Sequence, residues 1–540
     1  MRACALASHL AAGAWLVVAS CAEPPANARA APLEPAAGAA ASAPGAGPAE
    51  SAGTVGSTAG SGSARAVAPA PAAAPIEPAS ESTPAPGTLR VHAKTRFVWI
   101  RVEPNESAGW IGYLWLGGSV PLKSAKPRWG PGCSRSFYEV EPRGFVCVDG
   151  VRATLDAADP ALERQRPFAP DLSTPWPHQY GESRGAAKYR SLPDDTEQAK
   201  REWDLADHRA RLARAQSGDV HDSLAGVDLA PAGDLPPELG ALSPAMHEPR
   251  DRVRPASTVA WSREARSGDR SWLLTADLTW VPKDRVVPYP RVTFHGVELR
   301  DGVMLPLALF READRPRHRR VGERFEPAGG TFARLSWVKL TGERATVDGA
   351  TFLEVEGTGD WVAERDAVVP TPRGDTPWGA PVGGEDTTGR APAGRATWIE
   401  TSVWKGWLIA YEGTRPVYVT LVSPGRGGTP EPGKDPLSTA STPTGVFKIT
   451  GKFATATMVA PGELVHADVP WTQNFSGPHA LHGAYWHDAW GQRKSAGCVN
   501  VSPIDGKWLY EFTEPRVPAG WHGIRWQPAL EPATTFVVHD

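Results

Sequence analysis

The amino-acid sequence predicts a mainly β protein, in which small β-barrel modules and a C-terminal β-sandwich-like domain follow a disordered N-terminal linker. Two observations predict this fold class. From residue 89 onward, apolar and polar residues alternate in short runs, which is the period of a half-buried strand. The 55 glycines and 54 prolines are unevenly spread, and one long stretch has almost no core-forming residue. The folded mass is therefore smaller than 540 residues would suggest.

Residues 1–21 resemble a bacterial lipoprotein signal peptide. Arg2 precedes a small-residue and apolar run that is too short to cross a membrane, and the run ends in the lipobox-like tetrapeptide Val18 to Cys21. We expect Cys21 to become the lipidated N-terminus, which would anchor the protein to a membrane in the periplasm or cell envelope. A secretory signal cleaved near Ala28 is the alternative.

Residues 22–87 are predicted to be a disordered linker of alanine, proline, glycine and serine. Such a composition cannot bury enough apolar surface to offset the entropy of ordering the chain. A flexible coil of ~65 residues has a root-mean-square span of roughly 45 Å. The linker would therefore hold the folded part well away from the anchor.

Residues 88–155 are predicted to form a small β-barrel. Their alternating runs and glycine spacing resemble bacterial Src-homology-3-like modules. Cys133 and Cys147 flank two strand-like runs, so a hairpin could bring them within bridging distance, and disulfides persist in exported proteins. That pairing leaves Cys498 without a partner, which is a liability unless its reactivity is wanted.

The middle of the chain is assigned no function from its sequence. Residues 156–269 are predicted to be an irregular connecting region with a surface helix in its charged stretch, residues 194–215. Residues 270–370 return to strand period and are predicted to form a second β-rich module. Residues 371–394 read as a second, shorter linker rich in proline and glycine.

The overall charge argues against a nucleic-acid partner. The chain has 57 basic and 60 acidic residues, a formal net charge of -3, and no basic run that would follow a phosphate backbone. The 22 tryptophans are assigned mainly to structural positions. We expect no cofactor and a monomer.

Residues 395–528 are predicted to be the catalytic domain, and residues 529–540 a C-terminal tail. Runs at strand period alternate with turns rich in glycine and proline, and one helix is expected at residues 502–512. This pattern predicts a β-sandwich-like domain with its chemistry near one edge.

Within this domain, His482 and Cys498 have the residue types of a thiol nucleophile and its base. An imidazole can remove the thiol proton and return it to a leaving amine. In the turn from Ser495 to Cys498, the flexible Gly497 lets successive backbone N–H groups converge on a developing oxyanion. We expect a reactive Cys498 to have a depressed pKa. An inert buried cysteine is the alternative.

At these positions the sequence resembles the YkuD-type L,D-transpeptidase family. The residues that carry the resemblance are His482 and Gly483, then Ser495, Gly497, Cys498, Val499 and Asn500, and upstream the strand entry 442–447. The resemblance covers about a quarter of the chain. It implies a largely β catalytic domain that acts on peptidoglycan stem tetrapeptides through a cysteine acyl-enzyme and forms crosslinks or attaches proteins to the wall.

The resemblance also implies roles for single residues. Cys498 would attack, His482 would be the general base and then acid, and the Gly483 carbonyl would orient the imidazole. The oxyanion hole would consist of backbone amides at Ala496, Gly497 and Cys498. The residues expected to bind substrate are Ser495, Asn500, Tyr485 and Trp486.

One position departs from the family pattern, because Ala496 stands where the family has histidine. If that histidine serves through its backbone N–H, alanine preserves its function. Alternatively, the loss marks a weakened or repurposed enzyme.

Three other hypotheses remain open. A hydrolase on the same scaffold would use water in place of an acceptor amine. A noncatalytic wall-binding lipoprotein would use the barrels for adhesion. A zinc site at His479, His482, His487 and Asp488 is disfavoured, because no His-Glu-x-x-His helix or cysteine pair supports it. We therefore expect no metal.

Overall fold

The computed structural model of the chain describes residues 18–19, 89–165, 168–214, 252–459 and 464–540. The predicted linker 22–87, the lipidation site Cys21 and nearly all of the predicted signal peptide 1–21 lie outside these residues. Strand β1 (Val18–Ala19) pairs antiparallel with residues 458–459. Within the described ranges, no helix has both the length and the apolar character needed to cross a bilayer.

Residues 89–155, which we call the first module, fold into a curled antiparallel sheet around a small apolar core. Its strands are β2 (Arg90–Ala93), β3 (Val98–Arg101), β4 (Trp110–Leu114), β5 (Ser119–Arg128), β6 (Ser136–Val140), β7 (Phe145–Val148) and β8 (Ala153–Thr154). They pair in the order β4-β3-β7-β6-β5-β2-β8. Inward residues such as Val91, Ile100 and Val146 are fully buried. The resemblance of this module to Src-homology-3 domains stays a prediction.

A disulfide joins Cys133 and Cys147, the pair that the sequence predicts, with their Cα atoms 5.7 Å apart. Cys147 lies on β7, and Cys133 lies in the loop between β5 and β6. The bridge therefore fastens this loop to the sheet.

The described residues between 179 and 288, the second module, form a separate antiparallel sheet. Its strands are β9 (Gln179–Ser183), β10 (Thr258–Ser267), β11 (Arg270–Thr275), β12 (Trp280–Pro282) and β13 (Val286–Pro288), and a 3₁₀ turn (Lys283–Arg285) precedes β13. Three helices flank or interrupt these strands, namely α1 (Pro160–Gln165), α2 (Asp195–Arg201) and α3 (Leu205–Arg214). The strand order is β12-β11-β10-β9-β13. Glu202, just after α2, is buried and accepts hydrogen bonds from Arg270 and Arg285, so it ties the helices to the sheet.

The expected boundary between residues 269 and 270 is wrong, because it falls in the turn between two paired strands. β10 and β11 form one hairpin, and β9 pairs with β10 from within the region expected to be irregular. The helix expected at residues 194–215 exists, as the two helices α2 and α3. This sheet could not be predicted from the sequence, because β9 and β10 are separated by helices α2 and α3 and by residues outside the described ranges.

Residues 307–363, the third module, form a further antiparallel unit. It follows the short strand β14 (Val297–Glu298) and consists of β15 (Leu307–Leu309), β16 (Arg315–Val321), β17 (Arg324–Phe332), β18 (Trp337–Val347), β19 (Ala350–Val355) and β20 (Trp361–Ala363), with a 3₁₀ turn (Glu364–Asp366) after it. Residues 371–394 contain no helix or strand but are packed, since Thr376 and Ala380 are buried.

The C-terminal domain is a two-sheet sandwich. Its elements are β21 (Thr397–Ser402), β22 (Trp407–Glu412), β23 (Arg415–Leu421), α4 (Pro436–Thr439), β24 (Gly445–Lys448), β25 (Gly451–Val459), β26 (Val465–Ser476), β27 (His479–Gly483), β28 (Val499–Val501), α5 (Pro503–Phe512), β29 (Gly523–Arg525) and β30 (Thr535–His539). One sheet runs β14-β23-β22-β21-β30-β24, and the other begins β28-β27-β26-β25-β29. The predicted mainly β fold class with a C-terminal sandwich is confirmed.

The expected tail at residues 529–540 is wrong, because it contains a central strand. β30 pairs parallel with β21 and antiparallel with β24, and Phe536 is fully buried. β14 also lies outside the expected limits of the domain, yet it pairs with β23. The sandwich therefore draws on residues that precede and follow 395–528.

The first module and the C-terminal domain share one continuous sheet. β4 pairs antiparallel with β29, opposite Gly523 and Ile524. Trp521 fills the space beside Gly112, where a Cβ would come within 2.2 Å of its ring. A glycine is therefore needed at this close approach between the two units.

Candidate active site

The predicted base and nucleophile lie on neighbouring parallel segments, since His482 is on β27 and Cys498 immediately precedes β28. The register places Leu481 opposite Val499 and His482 opposite Asn500. Leu481 and Val499 point into the sandwich core. Because side chains alternate along a strand, His482 and Cys498 both face the other side of the sheet.

Cys498 is buried, with 1% of its surface exposed, and it is the free cysteine of the described chain. It packs in a small cluster with Met458, Val469 and Ala480, and the Ala480 amide donates to its Sγ at 3.4 Å. Burial raises the pKa of the thiol to about 12. The expectation of a depressed thiol pKa is therefore wrong for this state, since loss of hydration disfavours the thiolate.

His482 is also buried, and this lowers its pKa to about 4. Its Nδ1 lies 3.2 Å from the carbonyl oxygen of Gly483. A carbonyl can only accept, so Nδ1 carries the proton and Nε2 is left as the basic nitrogen. The imidazole and the thiol are thus both neutral at pH 7.

The turn before Cys498 is fixed by Ser495 and Gly497. Ser495 Oγ donates to the Cys498 carbonyl at 2.5 Å and accepts from the Gly497 amide at 3.0 Å. Gly497 has φ +127, and a Cβ there would come within 2.9 Å of His479 Nε2. Ser495 therefore shapes the turn. In this state the Gly497 amide is bonded to that hydroxyl, so it must exchange partners before it can serve an oxyanion.

Asn500 and Tyr485 are held by the protein itself. The Asn500 amide lies 3.1 Å from Nε2 of His487. The Tyr485 ring stacks on Tyr180 with ring centres 3.8 Å apart, and its hydroxyl lies 2.7 Å from Thr258 Oγ1 and donates to the Ala467 carbonyl at 2.6 Å. The hydroxyl of Tyr485 is therefore engaged within the protein, and its expected role in binding substrate stays a prediction.

Trp486 lies between Cys498 and a large cavity. It packs against the cluster that contains Cys498, and its ring centre is 5.8 Å from that of His482. It also lines a cavity of about 870 Å³, whose walls are residues 289–295, 334–337 and 485–488. Trp486 is therefore placed to meet a ligand in this cavity.

Two further histidines surround Trp486. His466 stacks on it at 4.2 Å, and the His487 ring centre lies 6.2 Å away. Burial, followed by the neighbouring histidines, lowers the pKa of His466 to about 3 and that of His487 to about 4. Sequence reasoning missed His466. The strand gives no alternating signal for it, because Val465, His466 and Ala467 are all partly buried.

No group of three or more potential metal ligands occurs among the described residues. The histidines His466, His482 and His487 lie around the ring of Trp486.

Residues 396–520 match the family model of YkuD, described as the L,D-transpeptidase catalytic domain. This part of the chain is a YkuD domain. It includes both strands of the site, with His482 and Cys498. No curated protein matches the chain at a significant level.

Solved L,D-transpeptidase structures resemble the part of the chain that contains the YkuD domain. One from Enterococcus faecium is 19% identical, covers 26% of this chain and 49% of its own, and has a TM-score of 0.18. One from Stackebrandtia nassauensis is 21% identical, with coverages of 29% and 62% and a TM-score of 0.18. One from Xylanimonas cellulosilytica is 25% identical, with coverages of 26% and 60% and a TM-score of 0.18. The chain thus spans about half to three fifths of their length. With TM-scores this low, the family match alone bears on function.

Proposed function

We propose that this protein is an L,D-transpeptidase that remodels peptidoglycan through an acyl-enzyme on Cys498. The observation that carries the proposal is the placement of His482 and Cys498 on one face of two paired strands within the YkuD domain. The reaction would take place in the cell envelope, where a lipid on Cys21 would tether the protein.

In the first half-reaction, His482 Nε2 takes the thiol proton as Sγ attacks the carbonyl carbon of a stem-peptide amide. The tetrahedral oxyanion is stabilised by backbone N–H groups of the 496–498 turn. The imidazolium then gives its proton to the leaving amine, the C–N bond breaks, and a thioester on Cys498 remains.

In the second half-reaction, an acceptor amine attacks the thioester carbonyl and loses its proton to His482. The C–S bond breaks, a new amide forms, and the thiol is regenerated. One amide replaces another, so no external energy source is needed. With water as the acceptor, the same steps would give hydrolysis.

The neutral state of both groups decides the order of proton transfer. Because burial holds the thiol pKa at about 12 and the His482 pKa at about 4, no thiolate–imidazolium pair exists before substrate binds. Deprotonation must therefore accompany attack on the carbonyl. Trp486 packs against the Cys498 cluster and also lines the cavity, so we expect substrate to displace it.

Replacement of the nucleophile tests this proposal directly. We expect Cys498→Ala to abolish product from a disaccharide-tetrapeptide donor, because neither His482 nor water can replace the sulfur as the nucleophile that attacks the donor amide. A matched control is Ser438→Ala, at an exposed position on α4, which should keep full activity. The assay is mass spectrometry of products, with and without an added acceptor amine.

The product separates the alternatives. Crosslinked dimer identifies transfer, and tripeptide alone identifies hydrolysis. Undiminished product from Cys498→Ala would exclude this nucleophile, and no product from the wild-type protein would favour a noncatalytic wall-binding role.

A further inference from the structure

The loop between the base and the nucleophile depends on contacts from outside the YkuD domain. This catalytic loop, residues 484–497, joins β27 to β28 and contains neither helix nor strand. It carries Trp486 and ends in the turn before Cys498. Its conformation therefore decides how the thiol and its cover are placed.

The second module holds the start of the catalytic loop. Thr258 on β10 lies within hydrogen-bond distance of the Tyr485 hydroxyl, and Tyr180 on β9 stacks on the same ring. All three side chains are buried. Tyr485 immediately precedes Trp486, so this contact fixes the backbone on which Trp486 stands.

The third module holds the middle of the catalytic loop. Arg334, between β17 and β18, donates to the Asp488 carboxylate at 3.0 Å and to the Asp488 carbonyl at 2.7 Å. Arg311, just after β15, donates to the Gly491 carbonyl at 3.0 Å. A Cβ on Gly491 would come within 2.8 Å of Arg311, so glycine is required for this approach.

Two walls of the cavity also precede the YkuD domain. Residues 289–295 and 334–337 face residues 485–488 across the cavity. The YkuD domain by itself supplies one wall. Arg334 belongs to both features, because it lines the cavity and also binds the loop.

We propose that the second and third modules complete the active site, and that Arg334 is a positioning residue that holds the catalytic loop through Asp488. This inference rests on the proposed function, and it assigns a role to a part of the chain for which the sequence suggests none. Arg334 would act on the chemistry through the loop and not by contact with the reacting atoms.

The expected effects on stability and activity differ. Asp488 is 59% exposed, and an exposed ion pair contributes little to global stability. The catalytic geometry is more sensitive, because small misplacements of reacting groups cost large factors in rate. Loss of Arg334 should therefore loosen the loop and slow the reaction without unfolding the protein.

The test compares Arg334→Met with Arg344→Met in the full chain. Arg344 of the third module makes an ion pair with Glu364 in the 3₁₀ turn that follows it, and Arg344 does not line this cavity. In Arg334→Met we expect hydrogen exchange of peptides from 484–497 to rise severalfold and kcat to fall about tenfold, with a smaller change in KM. Arg344→Met should match wild type.

Rescue provides the second readout. Arg334→Lys keeps a cation for the Asp488 carboxylate and should recover part of the lost kcat, which a general folding defect would not allow. Unchanged hydrogen exchange or unchanged kcat in Arg334→Met overturns the proposal. A fall in kcat that is accompanied by a large fall in melting temperature overturns it as well, because general destabilisation would then explain the lost activity. If wild type shows no turnover, the proposed function fails, and hydrogen exchange still tests whether Arg334 holds the loop.

Discussion

At the scale of single residues, the candidate site contains a cysteine, whose thiolate is a strong nucleophile, in a buried position. Cys498 and His482 are each kept neutral by burial, so the free enzyme stores no reactive thiolate. In an oxidising compartment this arrangement limits oxidation of the sulfur, because oxidants attack the thiolate. We expect the thiol to become reactive when a ligand moves Trp486 and supplies a carbonyl.

Trp486→Ala tests this protection. Removal of the indole should open Cys498 to the cavity and raise its rate of alkylation by iodoacetamide at least about tenfold, since access and thiolate fraction set thiol reactivity. In wild type the rate should keep rising with pH beyond pH 9, because the thiol pKa is about 12. Intact-protein mass spectrometry measures both rates.

The matched control is Trp337→Ala, because Trp337 lines the same cavity but lies outside the cluster around Cys498. Equal alkylation rates for the two variants and wild type would show that Trp486 does not control access to the sulfur.

The individual site residues were predictable to different degrees. His482, Gly483, Ser495, Gly497 and Cys498 carry a local motif, and the structure brings them together. The contacts of Tyr485 could not be predicted, because its partners Tyr180 and Thr258 are more than 200 positions away and only the fold reveals them.

At the scale of elements, short strands were predictable where they alternate and lie next to their partners. β6 and β7 are of this kind, and so are β21 and β22. Strands that pair over long distances were not. β9 pairs with β10 across two helices, and β30 inserts between β21 and β24 after the expected end of the domain. A local pattern contains no information about such pairings.

Phe536→Ala tests the role of β30. Phe536 is fully buried in the sandwich core, so its truncation should lower the free energy of unfolding by roughly 3–5 kcal/mol. A true C-terminal tail would tolerate the change. Urea unfolding followed by circular dichroism gives the value, and Leu530→Ala, at a side chain 61% exposed, is the control that should change little. Equal stabilities would mean that β30 does not belong to the core.

At the scale of the whole molecule, the candidate active site lies where several sheets meet. The first module extends the sheet of the nucleophile through β4 and β29, and the second and third modules hold the catalytic loop. Interfaces of this kind bury polar groups. His178, just before the second module, and His522 of the C-terminal domain are both buried near the first-module residue Arg96, whose charge further lowers their pKa values.

Buried neutral histidines make the stability of this assembly depend on pH. Burial lowers the pKa to about 4 for His178 and His482 and to about 3 for His522, against about 6.5 in an unfolded chain. Between these values the unfolded chain binds more protons than the folded one. Each histidine therefore contributes stability that is fully present above about pH 6.5. As the pH falls toward the pKa in the folded state, the free energy of unfolding decreases by up to about 1.4 kcal/mol per pH unit for each histidine.

His178→Leu removes one of these titrating groups. Neither ring nitrogen of His178 has a hydrogen-bond partner among the described residues, so an apolar side chain costs no hydrogen bond there. We expect the variant to lose stability less steeply than wild type between pH 6.5 and 4, as measured by urea unfolding at a series of pH values. The exposed His295→Leu should follow the wild-type curve. If the free energy of unfolding depends on pH in the same way for His178→Leu and wild type, His178 is not held neutral at this junction. A weaker dependence in the variant would mean that the contact between modules makes the protein sensitive to acid.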